Sequence, residues 1–420
     1  MNIELSTFGN RLGAHTGIQE LMHDLGQAMA GQEKLLMLGG GNPAAIPAAQ
    51  ALYREKLREL LDSGAIDPVL GNYDTPQGSP AFLEAVAGLL RREFGWNLTR
   101  DNIAVTNGSQ NAFFYLFNLL AGEFPDGRHK KILLPLCPEY IGYADQGVDA
   151  GLFTSCRPLI EDLGNRVYKY RVDFDALEIT PDIAAIAVSR PTNPTGNVLT
   201  DAEVARLSAM AKAAGIPLIL DNAYGAPFPG ILFGEATPHW DEHVILGLSL
   251  SKLGLPGLRT GILVASADII RTLAGIHAVI GLASGNVGQA IVGPMMRDGS
   301  ILTLSREVIR PFYLEKSRQA QAWLREFLGD RIPWRMHASE GAMFQWLNFP
   351  GLPGGSKELY NRLRKRGVVV VSGHYFFFGL PQPWDHANEC LRLNTSQPAD
   401  VVREGLRLVA EEAVAMFGAS

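Results

Sequence analysis

The segment HVILGLSLSKLGLPGLRTG, His243–Gly261, decides the fold because an apolar run ends there in two serines and a lysine. A continuous apolar run bounded by turn residues is typical of a strand buried on both faces of a parallel sheet. Lysine is almost never fully buried without a partner, so Lys252 at the end of such a strand indicates a chemical role. A short loop rich in glycine and proline then leads to Arg259.

Similar apolar runs recur along the first three quarters of the chain and are separated by helical patterns. This alternation predicts an α/β fold with a mainly parallel sheet covered by helices on both faces. Ligands of such sheets bind at the carboxyl ends of the strands. The other runs are NIAVTNG (102–108), KKILLPL (130–136), AAIAVSR (184–190), IPLILDNA (216–223) and GILVAS (261–266).

The length of 420 residues predicts two domains, because a single hydrophobic core rarely extends so far. From about Leu302 the pattern changes to a long helix followed by short strands and two further helices, which indicates a smaller α+β module. We expect a large ligand-binding domain over 50–300. We expect the N-terminal arm, 1–49, to pack on a small domain formed by 301–420.

The composition excludes several classes of protein. A formal charge of −6, with no basic cluster, argues against a nucleic-acid partner. Three cysteines without metal-ligand spacing predict a reducing, cytoplasmic compartment and no metal site. The opening residues have no signal-peptide pattern, and no apolar run is long enough to cross a membrane.

Polar residues at the predicted strand ends give the strongest functional signal. Each alone also fits ordinary turn or helix-cap chemistry. Together they provide a lysine for an aldehyde, a carboxylate for a cationic nitrogen, an amide and a phenol for a phenolic oxygen, and donors for a phosphate. Those are the four groups of pyridoxal 5′-phosphate, a cofactor held by a lysine and an acidic partner of its ring nitrogen.

The chain resembles the class I/II aminotransferases of fold type I, which use pyridoxal phosphate, over nearly its whole length. The resemblance implies a large domain with a mainly parallel seven-stranded sheet, a smaller α+β domain and a homodimer. It is carried by seven motifs in the family's order: NYDTPQG (72–78), TNGSQ (106–110), PEYIGY (138–143), NPTG (193–196), DNAY (221–224), SLSK…GLR (249–259) and LRLN (391–394).

The resemblance assigns the catalytic residues by position. It makes Lys252 the lysine that forms a Schiff base and shuttles the substrate proton. It makes Asp221 the carboxylate that keeps the pyridine nitrogen protonated. Asn193 and Tyr224 correspond to the pair that bonds the cofactor's phenolic oxygen, and Asn193 also belongs to the implied substrate site.

The same resemblance places Ser109, Gln110, Ser249 and Arg259 around the cofactor phosphate. Arg259 follows the lysine by seven residues, one fewer than in many members of the family. Tyr140 corresponds to the aromatic residue stacked on the cofactor ring.

Three further residues complete the implied site. Tyr73 corresponds to a tyrosine that reaches the phosphate of the neighbouring subunit, which requires a dimer. Arg392 corresponds to the arginine that binds the substrate α-carboxylate through two hydrogen bonds. Gly41, in LGGGNP, would add a backbone N–H group to that carboxylate. LGGGNP lacks the spacing of a dinucleotide-binding loop.

The resemblance extends to the residues around the motifs, and it implies amino transfer between small neutral amino acids and 2-oxo acids, with L-valine and pyruvate as substrates. We expect GHYFFFG (373–379) and EGAMFQW (340–346) to wall an apolar substrate pocket. A broader neutral or aromatic aminotransferase and a β-lyase use the same residues, and both stay open as alternatives. A regulator with a fused helix-turn-helix domain is disfavoured, because the first fifty residues are too few and too irregular for one.

Overall fold

The computed structural model describes residues 3–13, 17–29 and 35–418. The α-helices in these ranges are α1 (Thr7–Leu12), α2 (Gly17–Met29), α3 (Pro47–Asp62), α4 (Ile66–Gly71), α5 (Pro80–Phe94), α6 (Ser109–Leu120), α7 (Asp201–Ala213), α8 (Ala267–Gly281), α9 (Val287–Asp298), α10 (Ser300–Leu304), α11 (Arg310–Leu328), α12 (Gly355–Lys365), α13 (Asp385–Asn388) and α14 (Ala399–Gly418). No helix in the described ranges is both long and apolar enough to cross a membrane.

The strands in the same ranges are β1 (Leu36–Met37), β2 (Ile103–Asn107), β3 (Gly122–Glu123), β4 (His129–Leu134), β5 (Phe153–Ser155), β6 (Leu159–Gly164), β7 (Val167–Arg171), β8 (Ile183–Ser189), β9 (Leu218–Asp221), β10 (Val244–Ser249), β11 (Thr260–Val264), β12 (Arg335–His337), β13 (Phe344–Asn348), β14 (Val368–Val369), β15 (Val371–Ser372) and β16 (Cys390–Asn394).

The central sheet has the strand order β2-β11-β10-β9-β8-β4-β5. Only β11 runs against its neighbours. The two-residue β3 adds a short antiparallel pairing at the start of β4. The prediction of a mainly parallel seven-stranded sheet is therefore confirmed.

Helices cover both faces of this sheet, as the continuous apolar runs predict. Alternate residues of β8 belong to different hydrophobic clusters, because successive side chains of a strand point to opposite faces. Ile186 and Val188 join one cluster, and Ala185 and Ala187 join the other. A strand buried on both faces leaves solvent only at its ends, so polar residues collect at the carboxyl edge.

A second sheet, with the order β15-β16-β13-β12-β7-β6, combines distant parts of the chain. Strands β6 and β7 come from within the predicted large domain but pair through β7 with β12. Their two-residue turn has positive φ at Asn165 and Arg166, as a tight hairpin of this hand requires. The division at residues 50 and 300 stays a prediction, and the pairing adds that 159–171 lies on the C-terminal sheet.

The N-terminal arm contacts the C-terminal part of the chain through backbone hydrogen bonds. Strand β1 pairs in parallel with β14. The Leu38 carbonyl accepts a hydrogen bond from the Asn394 N–H at 2.7 Å. The glycines that follow Leu38 thereby lie beside β16, which carries Arg392.

Candidate active site

A cavity opens at the carboxyl ends of β8, β9 and β10, beside the first turn of α6. Strand register explains why it is polar, since Ser189 and Asp221, the last residues of β8 and β9, lie directly opposite each other. Eleven of the twelve predicted site residues line the cavity: Gly41, Ser109, Gln110, Tyr140, Asn193, Asp221, Tyr224, Ser249, Lys252, Arg259 and Arg392.

Lys252 follows β10 in a 3₁₀ turn and directs its amine into the cavity. The Nζ atom donates a hydrogen bond to the Gly41 carbonyl at 2.7 Å and lies 5.2 Å from the centre of the Tyr224 ring. Burial, together with the positive charges of Arg392 and Arg259, lowers the pKa of Lys252 to about 8. A large fraction of the molecules thus has a neutral, nucleophilic amine near physiological pH.

Asp221 ends β9 and lines the same cavity as Lys252. Its Oδ1 atom accepts a hydrogen bond from the Ala223 N–H at 2.8 Å, and its Oδ2 atom accepts one from the Tyr143 hydroxyl. Burial raises the pKa of Asp221, whereas these hydrogen bonds and the charge of Lys252 lower it. A cation bound beside this carboxylate would offset the cost of its burial.

The opposite end of the cavity is built for an anion. Ser109 and Gln110 form the first turn of α6, where backbone N–H groups lack helical partners. The Gln110 side chain is committed to the Gly142 carbonyl, at 3.0 Å, so its backbone N–H is the group that can serve an anion. The Ser249 hydroxyl lies at the end of β10 and accepts a hydrogen bond from the Ser251 N–H at 3.2 Å.

Arg259 reaches this anion corner through a compact loop. Two 3₁₀ turns, Ser251–Leu253 and Pro256–Leu258, fill the seven-residue spacing, and Arg259 itself adopts a left-handed conformation with φ 48°. Its guanidinium lies against Gly108, where a Cβ atom would lie only 2.0 Å from Nη2. Glycine at position 108 is therefore what allows the arginine to meet the helix N-terminus.

Arg392, on β16, is 1% exposed and lies between two aromatic rings. Its guanidinium carbon is 4.6 Å from the centre of the Phe344 ring and 5.2 Å from that of Phe376. Nη1 donates to Asn193 Oδ1 at 2.8 Å, and Nη2 donates to the Gly39 carbonyl. Nε is buried without a hydrogen-bond partner. Burial lowers the pKa of Arg392 to about 10.

Tyr140 lines the cavity wall, held there by its neighbours. Its ring lies 5.1 Å from the Tyr143 ring in an edge-on arrangement. A Cβ atom on Gly142 would be 2.4 Å from the Tyr140 ring, so only glycine leaves room for it. Within PEYIGY, Tyr140 therefore lies on the cavity wall and Tyr143 donates a hydrogen bond to Asp221.

One expectation differs from the structure. The segments 340–346 and 373–379 were expected to wall a substrate pocket, but none of their residues lines the cavity in the described part of the chain. They instead supply Phe344 and Phe376, whose rings make cation–π contacts with the Arg392 guanidinium. Tyr73, the twelfth predicted residue, is assigned to the site of a neighbouring subunit. It lies outside this cavity and is 84% exposed, and its role stays a prediction.

Several cavity residues escaped the sequence analysis. Ser189 lies in the run AAIAVSR, and Pro191 lies between this run and NPTG, so their place at a predicted strand end could have identified them. Ile18 and Met22 come from α2, more than two hundred residues from the lysine, and nothing in their local sequence marks them. The full set is Ile18, Met22, Phe113, Ser189, Pro191, Ala223 and Ser251.

The donor set fits pyridoxal phosphate on geometry alone. A desolvated amine, a carboxylate positioned by a phenol, and an anion corner with an arginine and a helix N-terminus surround one cavity. The orphaned Nε of Arg392 and the open Nδ2 side of Asn193 leave donors for a second, carboxylate-bearing molecule. The fold and the site together define a pyridoxal-phosphate enzyme of fold type I.

Comparison with known proteins gives the family. Residues 39–408 match the family model "Aminotransferase class I and II". The chain is 48% identical over 407 residues to valine–pyruvate aminotransferase of Escherichia coli K12, covering 97% of each protein. The chain belongs to the class I and II aminotransferases, which carry pyridoxal 5′-phosphate.

Solved structures agree with this assignment. A putative amino-acid aminotransferase from Psychrobacter arcticum 273-4 superposes with a TM-score of 0.96 at 43% identity, and each chain is covered completely. Valine–pyruvate aminotransferase from Salmonella typhimurium LT2 gives a TM-score of 0.89 at 47% identity, covering 96% of this chain and 100% of that one.

Proposed function

We propose that this aminotransferase moves the α-amino group from L-valine to pyruvate, forming 3-methyl-2-oxobutanoate and L-alanine. Two of the relatives described above are named for the valine–pyruvate pair. A substrate pair of this kind needs one carboxylate site and a modest apolar space for each side chain.

The observation that carries the proposal is the number of cations in the cavity. Among the described residues that line it, the cationic side chains are Lys252, Arg259 and Arg392. The lysine serves the cofactor aldehyde, Arg259 its phosphate, and Arg392 the α-carboxylate of the substrate. No lining cation of the described chain is left for a second carboxylate, which favours neutral amino acids over aspartate or glutamate.

Helix α2 supplies apolar surface on the open side of the cavity. Ile18 and Met22, one helical turn apart, both line it. Gly17 lies against Tyr375, where a Cβ atom would be 2.6 Å from the ring, so this end of the helix is tightly packed. We assign Ile18 and Met22 to the wall that receives the methyl groups of valine, which agrees with a small neutral side chain.

The remaining roles follow from positions around the cavity. Asp221 would hold the ring nitrogen, and Asn193 and Tyr224 would contact the phenolic oxygen. Ser109, Gln110 and Ser249 would bind the phosphate with Arg259. Tyr140 would pack against the ring, and the Gly41 backbone would contact the substrate near Arg392.

Bound pyridoxal phosphate supplies an aldehyde that holds the amino group and a ring that accepts the electrons of the broken Cα–H bond. Arg392 orients the substrate by its carboxylate, so that the Cα proton faces Lys252. The neutral Lys252 amine takes this proton as a general base and returns it as a general acid. Its low pKa makes both directions accessible near pH 8.

We also propose a homodimer that completes the site. We assign to its interface the exposed apolar side chains of two segments, Leu70 and Tyr73 in one and Val279, Ile280 and Leu282 in the other. Asn286 joins its two segments by donating hydrogen bonds to the carbonyls of Val69 and Asn72. A second copy covering this surface would bring its Tyr73 toward the anion corner, and sedimentation of the wild-type protein tests the dimer directly.

We place the protein in the cytoplasm. Its three cysteines, Cys137, Cys156 and Cys390, are free thiols, which suits a reducing compartment.

Pairwise assays with purified protein test the substrates. We expect valine with pyruvate to exceed glutamate with 2-oxoglutarate, and Lys252→Ala to abolish amino transfer. Preference for glutamate would reject the valine–pyruvate assignment. A wide range of neutral and aromatic donors would indicate the broader aminotransferase, and release of ammonia without an acceptor would indicate the β-lyase.

A further inference from the structure

Five consecutive backbone carbonyls, from Leu38 to Asn42, each accept a hydrogen bond from a residue far along the chain. Their donors, in order, are the Asn394 N–H at 2.7 Å, Arg392 Nη2, Asn394 Nδ2, Lys252 Nζ at 2.7 Å and Ser396 Oγ at 2.8 Å. Arg392 and Lys252 have roles in the proposed reaction. The Asn394 side chain, which holds the carbonyl between theirs, has none.

The Asn394 amide is fixed at both of its ends. Asn394 is the last residue of β16, two residues after Arg392, and is 1% exposed. Its Nδ2 atom donates to the Gly40 carbonyl, and its Oδ1 atom accepts a hydrogen bond from the Ser396 N–H at 2.7 Å. This pair of partners requires one donor and one acceptor on the same side chain, which an amide provides.

The bond from Asn394 determines the direction of the Gly41 N–H. The Gly40 carbonyl and the Gly41 N–H belong to one peptide group, which is planar and trans, so the two point in opposite directions. With its carbonyl bound to the Asn394 amide, this peptide group directs its N–H away from that amide. A hydrogen bond accepted by the carbonyl also polarises the peptide group, which makes the N–H a stronger donor.

This peptide group lies between two groups assigned to the substrate. On one side the Gly39 carbonyl accepts from Arg392, and on the other the Gly41 carbonyl accepts from Lys252. Gly39 is closely packed, because a Cβ atom there would lie 3.0 Å from the Val370 carbonyl oxygen. Gly41 lines the cavity, whereas Asn394 does not. Any effect of Asn394 on the substrate must therefore pass through the segment that it holds.

We infer that Asn394 is a positioning residue for the substrate α-carboxylate. It acts by orienting the Gly40–Gly41 peptide group, so that the Gly41 N–H is held as a donor beside the Arg392 guanidinium. This inference rests on the proposed roles of Arg392 and Gly41. It assigns to Asn394 a part in distinguishing an amino acid from an amine that lacks the carboxylate.

The test compares the reaction of the holoenzyme with L-valine and with isobutylamine, which is valine without its carboxylate. We expect Asn394→Ala to reduce the preference for valine, measured as the ratio of kcat/KM in the first half-reaction, about 10-fold. Asn348→Ala is the matched control, because it removes an equally buried amide from the neighbouring strand β13. It should leave the preference unchanged.

A purely structural role would lower kcat/KM for both amines in the same proportion, and that result would overturn the inference. If Asn394→Ala fails to fold, Asn394→Ser takes its place, since its shorter side chain does not reach the Gly40 carbonyl. The same loss of preference is expected there.

Binding of 3-methylbutanoate provides a second readout that needs no turnover. This ligand has the carboxylate and the side chain of valine but no amino group. Its Kd for the holoenzyme, measured by titration calorimetry, should rise about 10-fold in Asn394→Ala and stay the same in Asn348→Ala. An unchanged Kd in Asn394→Ala would contradict the inference.

Arg392→Met separates this inference from the proposed function. It should remove most of the preference for valine over isobutylamine, because it deletes the cation assigned to the carboxylate. Loss of the preference in Arg392→Met, but not in Asn394→Ala, would reject only the inference. An unchanged preference in Arg392→Met would reject the proposed role of Arg392 itself.

Discussion

The reactivity of Lys252 should be set by its burial and by the positive charges around it. A decrease in its pKa from 10.5 to about 8 corresponds to roughly 3 kcal/mol of lost preference for the charged amine. At pH 7.5 about one quarter of the Lys252 amines would be neutral, against about one in a thousand for an ordinary lysine. The fold thus increases the concentration of the nucleophile by about two hundredfold.

The rate at which the apoprotein takes up pyridoxal phosphate measures the fraction of Lys252 amines that are neutral. The uptake rate, followed by stopped-flow absorbance, should rise with pH and level off above a midpoint near 8, because only the neutral amine attacks the aldehyde. Measurements above pH 7 avoid the second ionisation of the phosphate, whose pKa is about 6.

Replacing Arg392 tests whether its positive charge lowers the pKa of Lys252. Arg392→Met keeps an apolar chain between Phe344 and Phe376 but removes a charge that lowers the pKa of Lys252. The midpoint should therefore move to higher pH. Arg403→Met, on the exposed face of α14, is the control and should leave it unchanged. A wild-type midpoint near 10.5, or one that Arg392→Met does not move, would refute this reasoning.

Two further predictions concern packing and acid stability. Gly142→Ala should raise the Kd for pyridoxal phosphate about 2- to 10-fold by displacing the Tyr140 ring, as equilibrium titration would show; an unchanged Kd would contradict this packing. His337 accepts the Tyr170 N–H at Nε2, and burial lowers its pKa to about 3. Since the unfolded chain binds that proton below about pH 6.5, His337 by itself should lower the free energy of unfolding by ~1.4 kcal/mol for each pH unit from pH 6 down to pH 4. Urea titrations should show a smaller slope for His337→Gln and an unchanged one for His129→Gln.

Local sequence patterns predicted most strands of the central sheet. Apolar runs such as the one that ends at Ser249 are typical of strands buried on both faces, because they are short and are bounded by turn residues. Polar residues at the ends of those runs then had to meet at one edge. This is why Asp221 and Lys252 could be placed in one cavity from the sequence.

The hairpin of β6 and β7 shows the limit of this reasoning. Strand β6 is largely exposed. The hairpin lies on the C-terminal sheet because β7 pairs with β12, more than 160 residues away. Local hydrophobicity contains no information about a partner at that distance. The same holds for Ile18 and Met22, whose place in the cavity follows from how α2 packs.

The sequence by itself determined the buried strands, the chemistry at their ends and the family to which the chain belongs, because these depend on residue type and short-range spacing. Only the tertiary structure decided that Phe344 and Phe376 support Arg392 rather than wall a pocket. It also placed Ser189 directly opposite Asp221. Both outcomes depend on strand register and close packing between segments far apart in the chain, where a shift of one residue would turn each side chain to the opposite face.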